Sequence, residues 1–354
     1  MTREERINKR IKEHYEYLEE QGYEIVGLFL QGSQNYNNDI YDDDYCSDID
    51  SKAIVLPTFD DFISGRQPVS NTLVLENNEH IDVKDIRIMF NTLQKSNVNF
   101  LEILFTDFKI INPKYQELFQ PVIDNNERLA TADMKQLLNC CVGMSKQKFC
   151  ALKHPYPTIK DKIDKFGYDP KQLNHIIRMN YFIKRIITGE SFKTSLNEIE
   201  RKDYLVKVKK GIYSLDEAER LAVEFDTESY EIKEEILKTR NYLVDSDAYK
   251  IYDNVKCNIL KQWFKELLLS EHLELPTWEE FKKSKKDYKF SHNGKNYILA
   301  KDVCADMMAS CFYHSDIVIL ILDETNKEIL FDKAMNEENY RQACQKCKRL
   351  FLGE

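Results

Sequence analysis

The chain has 354 residues, 42% hydrophobic, 31% charged and 12% aromatic, with 51 Lys/Arg against 60 Asp/Glu for a net charge of −9. That provides for two or three cores of about 100–150 residues each, and ten Gly with eight Pro exclude collagen-like or low-complexity sequence. The longest apolar run, Ile317 to Leu322, is strand-sized, and Met1 to Arg6 holds no signal-peptide core, so no membrane partner and a cytoplasmic location are expected.

Ile7, Ile11, Tyr15 and Leu18 recur at spacings of three and four and predict an opening helix that Gly22 ends. Tyr23 to Leu30 reads as a buried strand running into Gly32-Ser33. Residues 39–50 then hold six aspartates: Asp39, Asp42, Asp43, Asp44, Asp48 and Asp50. Asp48 to Leu56 is a second strand stopped by Pro57, and Thr58 with Asp61 is spaced to cap a short helix through Phe62. Val69 to Leu75 and His80 to Val83 read as two further strands. A helix follows from about Ile86 to Gln94, with Phe100 to Phe105 apolar behind it.

From Pro113 to about Asp245 only helices are expected. The clearest runs from Pro170 to Ile187, with proline in its first turn and Gly189 beyond its end. Another starts at Ser214, spaced from Glu217 as a capping box, and runs to Phe225. In the last hundred residues Lys289 to Leu299 reads as a hairpin around Asn293-Gly294. A helix over 302–312, a second hairpin of Asp316 to Leu322 with Glu328 to Phe331, and a final helix complete the chain. The fold class expected is α+β. An α/β domain with a small mixed sheet covers 1–110, a helical domain 111–245, and a small α+β appendage 246–354.

Charge is unevenly placed. Residues 146–210 carry sixteen Lys/Arg against seven Asp/Glu, a local +9 that leaves −18 on the remainder. A basic region in one segment and a knot of carboxylates in another point to a metal site beside a polyanion groove, against the alternative of solvated helix faces. Side chains alternate along a strand, so Asp48, Asp50 and Lys52 share one face while Ile49 turns to the core. Two carboxylates about 7 Å apart on a strand suit one or two Mg²⁺ ions, or Mn²⁺. Gly32 allows close backbone approach to a phosphate, and Ser33 stands where a short helix presents N–H groups to anions. Asp82, between Ile81 and Val83, is the best candidate for a third carboxylate. Asp85 is second, and reads better as a helix cap.

An apolar strand ending in Gly-Ser, then an Asp-x-Asp strand and a third acid on a later strand, resembles the nucleotidyltransferase superfamily that includes DNA polymerase beta. Four segments look like one subfamily, the RNA repair pathway DNA polymerase beta family. They are Gly32 to Tyr36, Ser47 to Lys52, Asn97-Val98-Asn99-Phe100-Leu101-Glu102, and Phe166 to Lys171 continuing through His175 to Arg178. The likeness covers about residues 20–245, departing from the family in the fourteen residues between Ser33 and Asp48 and in a loose third-acid segment. It implies two-metal transfer of NMP from an NTP to a hydroxyl, with Asp48, Asp50 and Asp82 as metal ligands and catalytic acids. It implies Gly32, Ser33 and Lys52 at the phosphates, and an RNA or DNA end as acceptor. Lys171, His175 and Arg178 fall on one helix face and are assigned to the nucleotide. Transfer to a protein, a small molecule or another nucleotide stays open, as does an inactive nucleotide-binding module.

Other features carry less. The nine cysteines are odd in number and scattered, which predicts reduced thiols. Cys344-Gln345-Lys346-Cys347 lacks the second pair that zinc requires. Lys282 to Lys286 reads as solvated surface, His80 as a surface neighbour of Asp82, and the acidic insert from Asp39 to Asp44 as a flexible flap or surface loop.

Overall fold

Thr2 opens the first helix. Its hydroxyl accepts the Glu5 N–H at 3.1 Å, and its own N–H donates to the Glu5 carboxylate at 2.8 Å, starting α1 (Arg3–Glu20). The apolar stripe Ile7, Ile11 and Leu18 of α1 is buried against a sheet through Leu28, Leu30, Ala53, Val55, Ile81 and Val83. The computed structural model describes residues 1–42, 46–270, 275–284, 287–292, 295–305, 314–322 and 328–352. It divides into two units, Met1–Ile259 and Leu260–Glu354, so the α/β and helical parts fall together in the first.

The sheet of the first unit has five strands in the order β3-β4-β2-β1-β5. They are β1 (Ile25–Gln31), β2 (Asp50–Val55), β3 (Ser70–Val74), β4 (His80–Asp85) and β5 (Lys109–Ile111). β2 and β4 are parallel, and the other pairs antiparallel. Helices α2 (Phe59–Ile63), α3 (Ile86–Leu93) and α4 (Val98–Leu101) lie between the strands in sequence. Thr58 caps α2 through the Asp61 N–H at 3.1 Å, and Asp85 caps α3 through the Arg87 N–H at 2.8 Å. The chain then turns wholly helical: α5 (Pro113–Asp124), α6 (Asn126–Ala130), α7 (Met134–Ala151), α8 (Lys160–Phe166), α9 (Pro170–Ile186), α10 (Phe192–Leu196), α11 (Lys202–Lys209) and α12 (Leu215–Thr239). Leu173, Ile176 and Ile177 of α9 pack with Leu205 and Val208 of α11 and Ala218 and Ala222 of α12. Then α13 runs from Ser246 to Ser270.

In the second unit α14 (Trp278–Lys283) precedes an antiparallel sheet of β6 (Tyr288–His292), β7 (Lys295–Ala305), β8 (His314–Leu322) and β9 (Glu328–Ala334), and α15 (Glu337–Leu352) closes the chain. Its core joins Phe281, Tyr297, Leu299, Leu320, Tyr340, Ala343 and Cys347.

The mixed α+β class holds, and two elements differ from the sequence reading. The helix expected from 302 is strand at 302–305, where β7 pairs residue by residue with β8 as far as Ala305 opposite His314. Cross-strand pairing there overrides local propensity. The remainder of that helix and the Asn293-Gly294 turn lie outside the described residues. The helix from Ser214 runs on past Phe225 to Thr239, burying Ser229 and Lys233 where an apolar stripe would have marked it. Among the described residues no helix is long and apolar enough to cross a membrane.

Candidate active site at one end of the first sheet

Strand β1 delivers the chain to Gly32, whose φ of +85° is a conformation glycine adopts without strain. Space beside it is open, since a Cβ there would meet nothing within 4 Å. Ser33–Tyr36 form a 3-10 turn, and Gln34 reaches from it to donate to the Asp48 carbonyl at 2.5 Å. Gln31 stands opposite Asp50 in the β1–β2 ladder. The Gly-Ser turn and the start of the acidic strand therefore meet at one end of the inner strands β1 and β2. Ile49 and Ser51 are buried behind the strand, and Asp48 and Asp50 take the other face.

Asp50 accepts two contacts from His80: the backbone N–H at 2.9 Å and the ring Nδ1 at 3.1 Å. His80 is thus a partner of the acid pair, beyond its reading as a surface neighbour of Asp82. Partial burial, then the charge of Asp50, raises the Asp48 carboxyl above its ordinary value, and Lys171 pulls it back. Asp82 stands opposite Lys52 in the parallel ladder, beyond Asp50, with Oδ1 3.0 Å from Lys84 and Oδ2 3.8 Å from Lys52. Each of its oxygens thus lies near a lysine. Among the described residues no three His, Cys, Asp or Glu side chains stand together as a metal site.

Lys52 is buried, donates to Gln31, and lies 4.7 Å from the centroid of the Phe100 ring. Burial lowers its ammonium, with Glu102 and Asp82 opposing. Glu102 is a residue the site assignment missed, although it sits inside a quoted motif. Its Oε1 accepts the Gly32 N–H at 2.8 Å, and only 3% of the residue is exposed. Burial raises its carboxyl against the pull of Lys52, Arg178 and the Gly32 N–H. The available signal was a single acid within the apolar run from Phe100 to Phe105.

The second half of the site is basic. On α9, Arg178 is 1% exposed, its guanidinium carbon 3.9 Å from the centroid of the Tyr36 ring. Its Nη2 approaches His175 Nδ1 at 3.5 Å, while Nε and Nη1 have no hydrogen-bond partner. Lys148 of α7 and Lys209 of α11 join Lys171, His175 and Arg178. Lys209 donates to the Asn38 carbonyl, and Asn38 donates to Asn174 Oδ1 at 2.8 Å, which ties the segment after the Gly-Ser turn to the helices. Nearby lysines are matched by acids: Lys146 to Asp226, Lys153 to Glu219, Lys184 to Glu228, Lys202 to Asp39 and Lys210 to Asp42. Among the described residues Lys148, Lys171, Arg178 and Lys209 have no such ion pair.

Crowding of like charge leaves its mark. Burial, then Arg178, Lys148, Lys171 and Lys209, holds His175 well below its usual range. Burial, then Arg178 and Lys171, brings Lys209 down to about 7. Burial, then Lys171, lowers Lys148. Lys171 acts on both this group and Asp48, and so links the basic face to the acids. Glu198 lies behind them with neither carboxylate oxygen hydrogen-bonded, and burial pushes it up to about 7 against Arg178, Arg201 and Arg185.

The acidic insert is no loose flap where it starts. Asp39 is 2% exposed and takes a two-pronged bond from Arg3 at 2.7 and 3.0 Å. Asp43 and Asp44 lie outside the described residues. Cys347 belongs to the second unit's core, and Lys282 and Lys283 end α14. Compared with family models, curated proteins and solved structures, the chain matches none.

Proposed function

We propose that the chain is a Mg²⁺-dependent nucleotidyltransferase of the DNA polymerase beta superfamily type. It moves NMP from an NTP to the hydroxyl of an RNA or DNA end and releases pyrophosphate. One juxtaposition carries this reading: a mutually repelling Asp48/Asp50 pair, beside the Gly32-Ser33 turn, within electrostatic reach of Lys171 and the unpaired basic group it belongs to. Acids of this kind suit a hard cation, and cations without an acid partner, from buried Arg178 to exposed Lys171, suit a polyphosphate.

Asp48 and Asp50 fit a divalent ion, since their oxygens are the donors Mg²⁺ and Mn²⁺ prefer and the ion's charge offsets their repulsion. When bound, such an ion lowers the pKa of the acceptor hydroxyl and neutralises charge on the leaving pyrophosphate. Asp82 completes the acid set only by exchanging its contacts with Lys52 and Lys84. Gly32 and Ser33 approach the phosphates through their open side, and Lys171, His175 and Arg178 bind the remaining phosphate charge with Lys148 and Lys209. Lys52, oriented by Gln31 and Phe100, keeps positive charge beside the transferred group.

The test is transfer of label from each of four α-labelled NTPs, with Mg²⁺ or Mn²⁺, with and without mixed RNA, by wild type and Asp48→Ala/Asp50→Ala. RNA-dependent labelling that the double variant loses is the expected result. Label on protein or small products moves the acceptor away from nucleic acid. Absence of transfer by the wild type under every condition overturns the reading.

A further inference from the structure

Behind the acidic strand lies a buried polar chain that the proposed chemistry does not touch. Arg3, Arg6, Arg10 and His14 recur at spacings of three and four along one face of α1. His14 is fully buried, with Nδ1 2.9 Å from Ser51 Oγ and Nε2 3.1 Å from Glu79 Oε2. The same Glu79 oxygen accepts from Arg10 Nε at 2.7 Å, and its other oxygen accepts the Ile49 N–H at 3.3 Å. Arg6 Nη2 approaches Glu79 at 3.9 Å, and its Nη1 donates to the Ser47 carbonyl at 3.1 Å. Every one of these bonds ends on residues 47–51 or on the acid that grips them. Asp48 and Asp50 stand on the opposite face of that segment.

The proton order follows from the partners. Glu79 only accepts, with His14, Asn77 and Arg10 outweighing its burial and holding its carboxyl down to about 2. His14 Nε2 therefore carries the proton given to Glu79, and in the neutral ring Nδ1 accepts from the Ser51 hydroxyl. An apolar filling of the same volume would pack α1 on β2 without the desolvation cost of buried charge. What a hydrogen-bonded relay adds is direction: it fixes the strand along its axis as well as against its neighbours.

We infer that Glu79, His14 and Ser51 are positioning residues that hold the Asp48–Asp50 segment in register for a divalent cation, with Arg6 and Arg10 holding Glu79. This inference rests on the function proposed above. Supporting residues of this kind typically change metal affinity or turnover by about 10–100-fold when altered.

The test uses the full chain, Mn²⁺ alone as the probe, and electron paramagnetic resonance titration, beside thermal melting and NTP kinetics. Glu79→Gln keeps the volume but cannot accept from all its present donors; Ser51→Ala removes one buried oxygen. Expected is Mn²⁺ affinity weakened about 10–100-fold in Glu79→Gln and less in Ser51→Ala, with kcat reduced and KM for NTP unchanged. Both variants are measured well below their melting temperatures, so that a merely structural loss leaves the Mn²⁺ titration unmoved. Wild-type Mn²⁺ affinity and kcat in folded variants overturn the positioning role and leave the proposed function standing. If Glu79→Gln does not fold, Ser51→Ala decides on the same criteria. Wild type that binds no Mn²⁺, or binds it as Asp48→Ala/Asp50→Ala does, overturns both.

Discussion

Among the described residues the two sheets are built to opposite plans. In the second unit Phe281, Leu299, Leu320, Ala343 and Cys347 make an apolar core, with Tyr340 reaching the Pro276 carbonyl through its hydroxyl. In the first, His14, Ser51, Lys52, Glu79 and Glu102 are buried within or beside an equally apolar sheet. Burial of apolar area alone stabilises a sheet; buried ionic groups cost desolvation and return geometry. Between the two sheets, the described residues place the exchange of stability for positioned charge at the strand ends bearing Asp48 and Asp50.

Removing that placed charge gives the largest expected effect. Asp48→Ala/Asp50→Ala lowers label transfer by at least about a thousandfold, while melting shifts little, since relief of the Asp48/Asp50 repulsion is set against loss of the two His80 contacts to Asp50. The converse change, Leu320→Ala, costs the second unit about 2–5 kcal/mol in denaturant unfolding, and Mn²⁺ titration of the folded variant stays as in wild type.

A third experiment separates the units by pH. Glu198 is raised from 4.5 to about 7, so the native state binds its proton more tightly than the unfolded chain. Its contribution is fully present below pH 4.5 and is lost as pH rises through about 7, a loss of roughly 3 kcal/mol. Glu198→Gln flattens that part of the unfolding curve; an unchanged slope contradicts the assignment. The smallest effect is expected from Lys209→Met, which raises KM for NTP about tenfold, near 1.4 kcal/mol, with kcat preserved. Steady-state kinetics at pH 6 and 8 check it, and the difference from wild type shrinks at the higher pH as Lys209 loses its proton near 7.

Much of the first sheet was legible because its residues obey local rules. Alternation around Ile49 and Ser51 marked β2 and sent Asp48 and Asp50 to one face, and Thr58 with Asp61 marked a helix start. What stayed illegible depends on partners distant in the chain. That β4 runs parallel to β2, setting Asp82 against Lys52 and His80 against Asp50, has no local signal. Glu102 reaches Gly32 across a separation that periodicity does not report, and Lys148 and Lys209 look like any solvated lysine until α7, α9 and α11 pack. The strand at 302–305 needed β8 as its template, and α12 past Phe225 buries Ser229 and Lys233 in place of apolar residues.

The bond from Lys209 to Asn38, with that from Asn38 to Asn174, has a consequence for synthesis. A ribosome delivers the Gly-Ser turn and both aspartates early, while the residues that tie down the segment after that turn emerge more than a hundred residues later. Non-local closures of this sort are slow and come late. A nascent chain stopped before α11 therefore holds its acids through Arg6, His14 and Glu79 but lacks the Lys209 bond to the segment after the turn, and competence arrives with the helices rather than with the acidic strand.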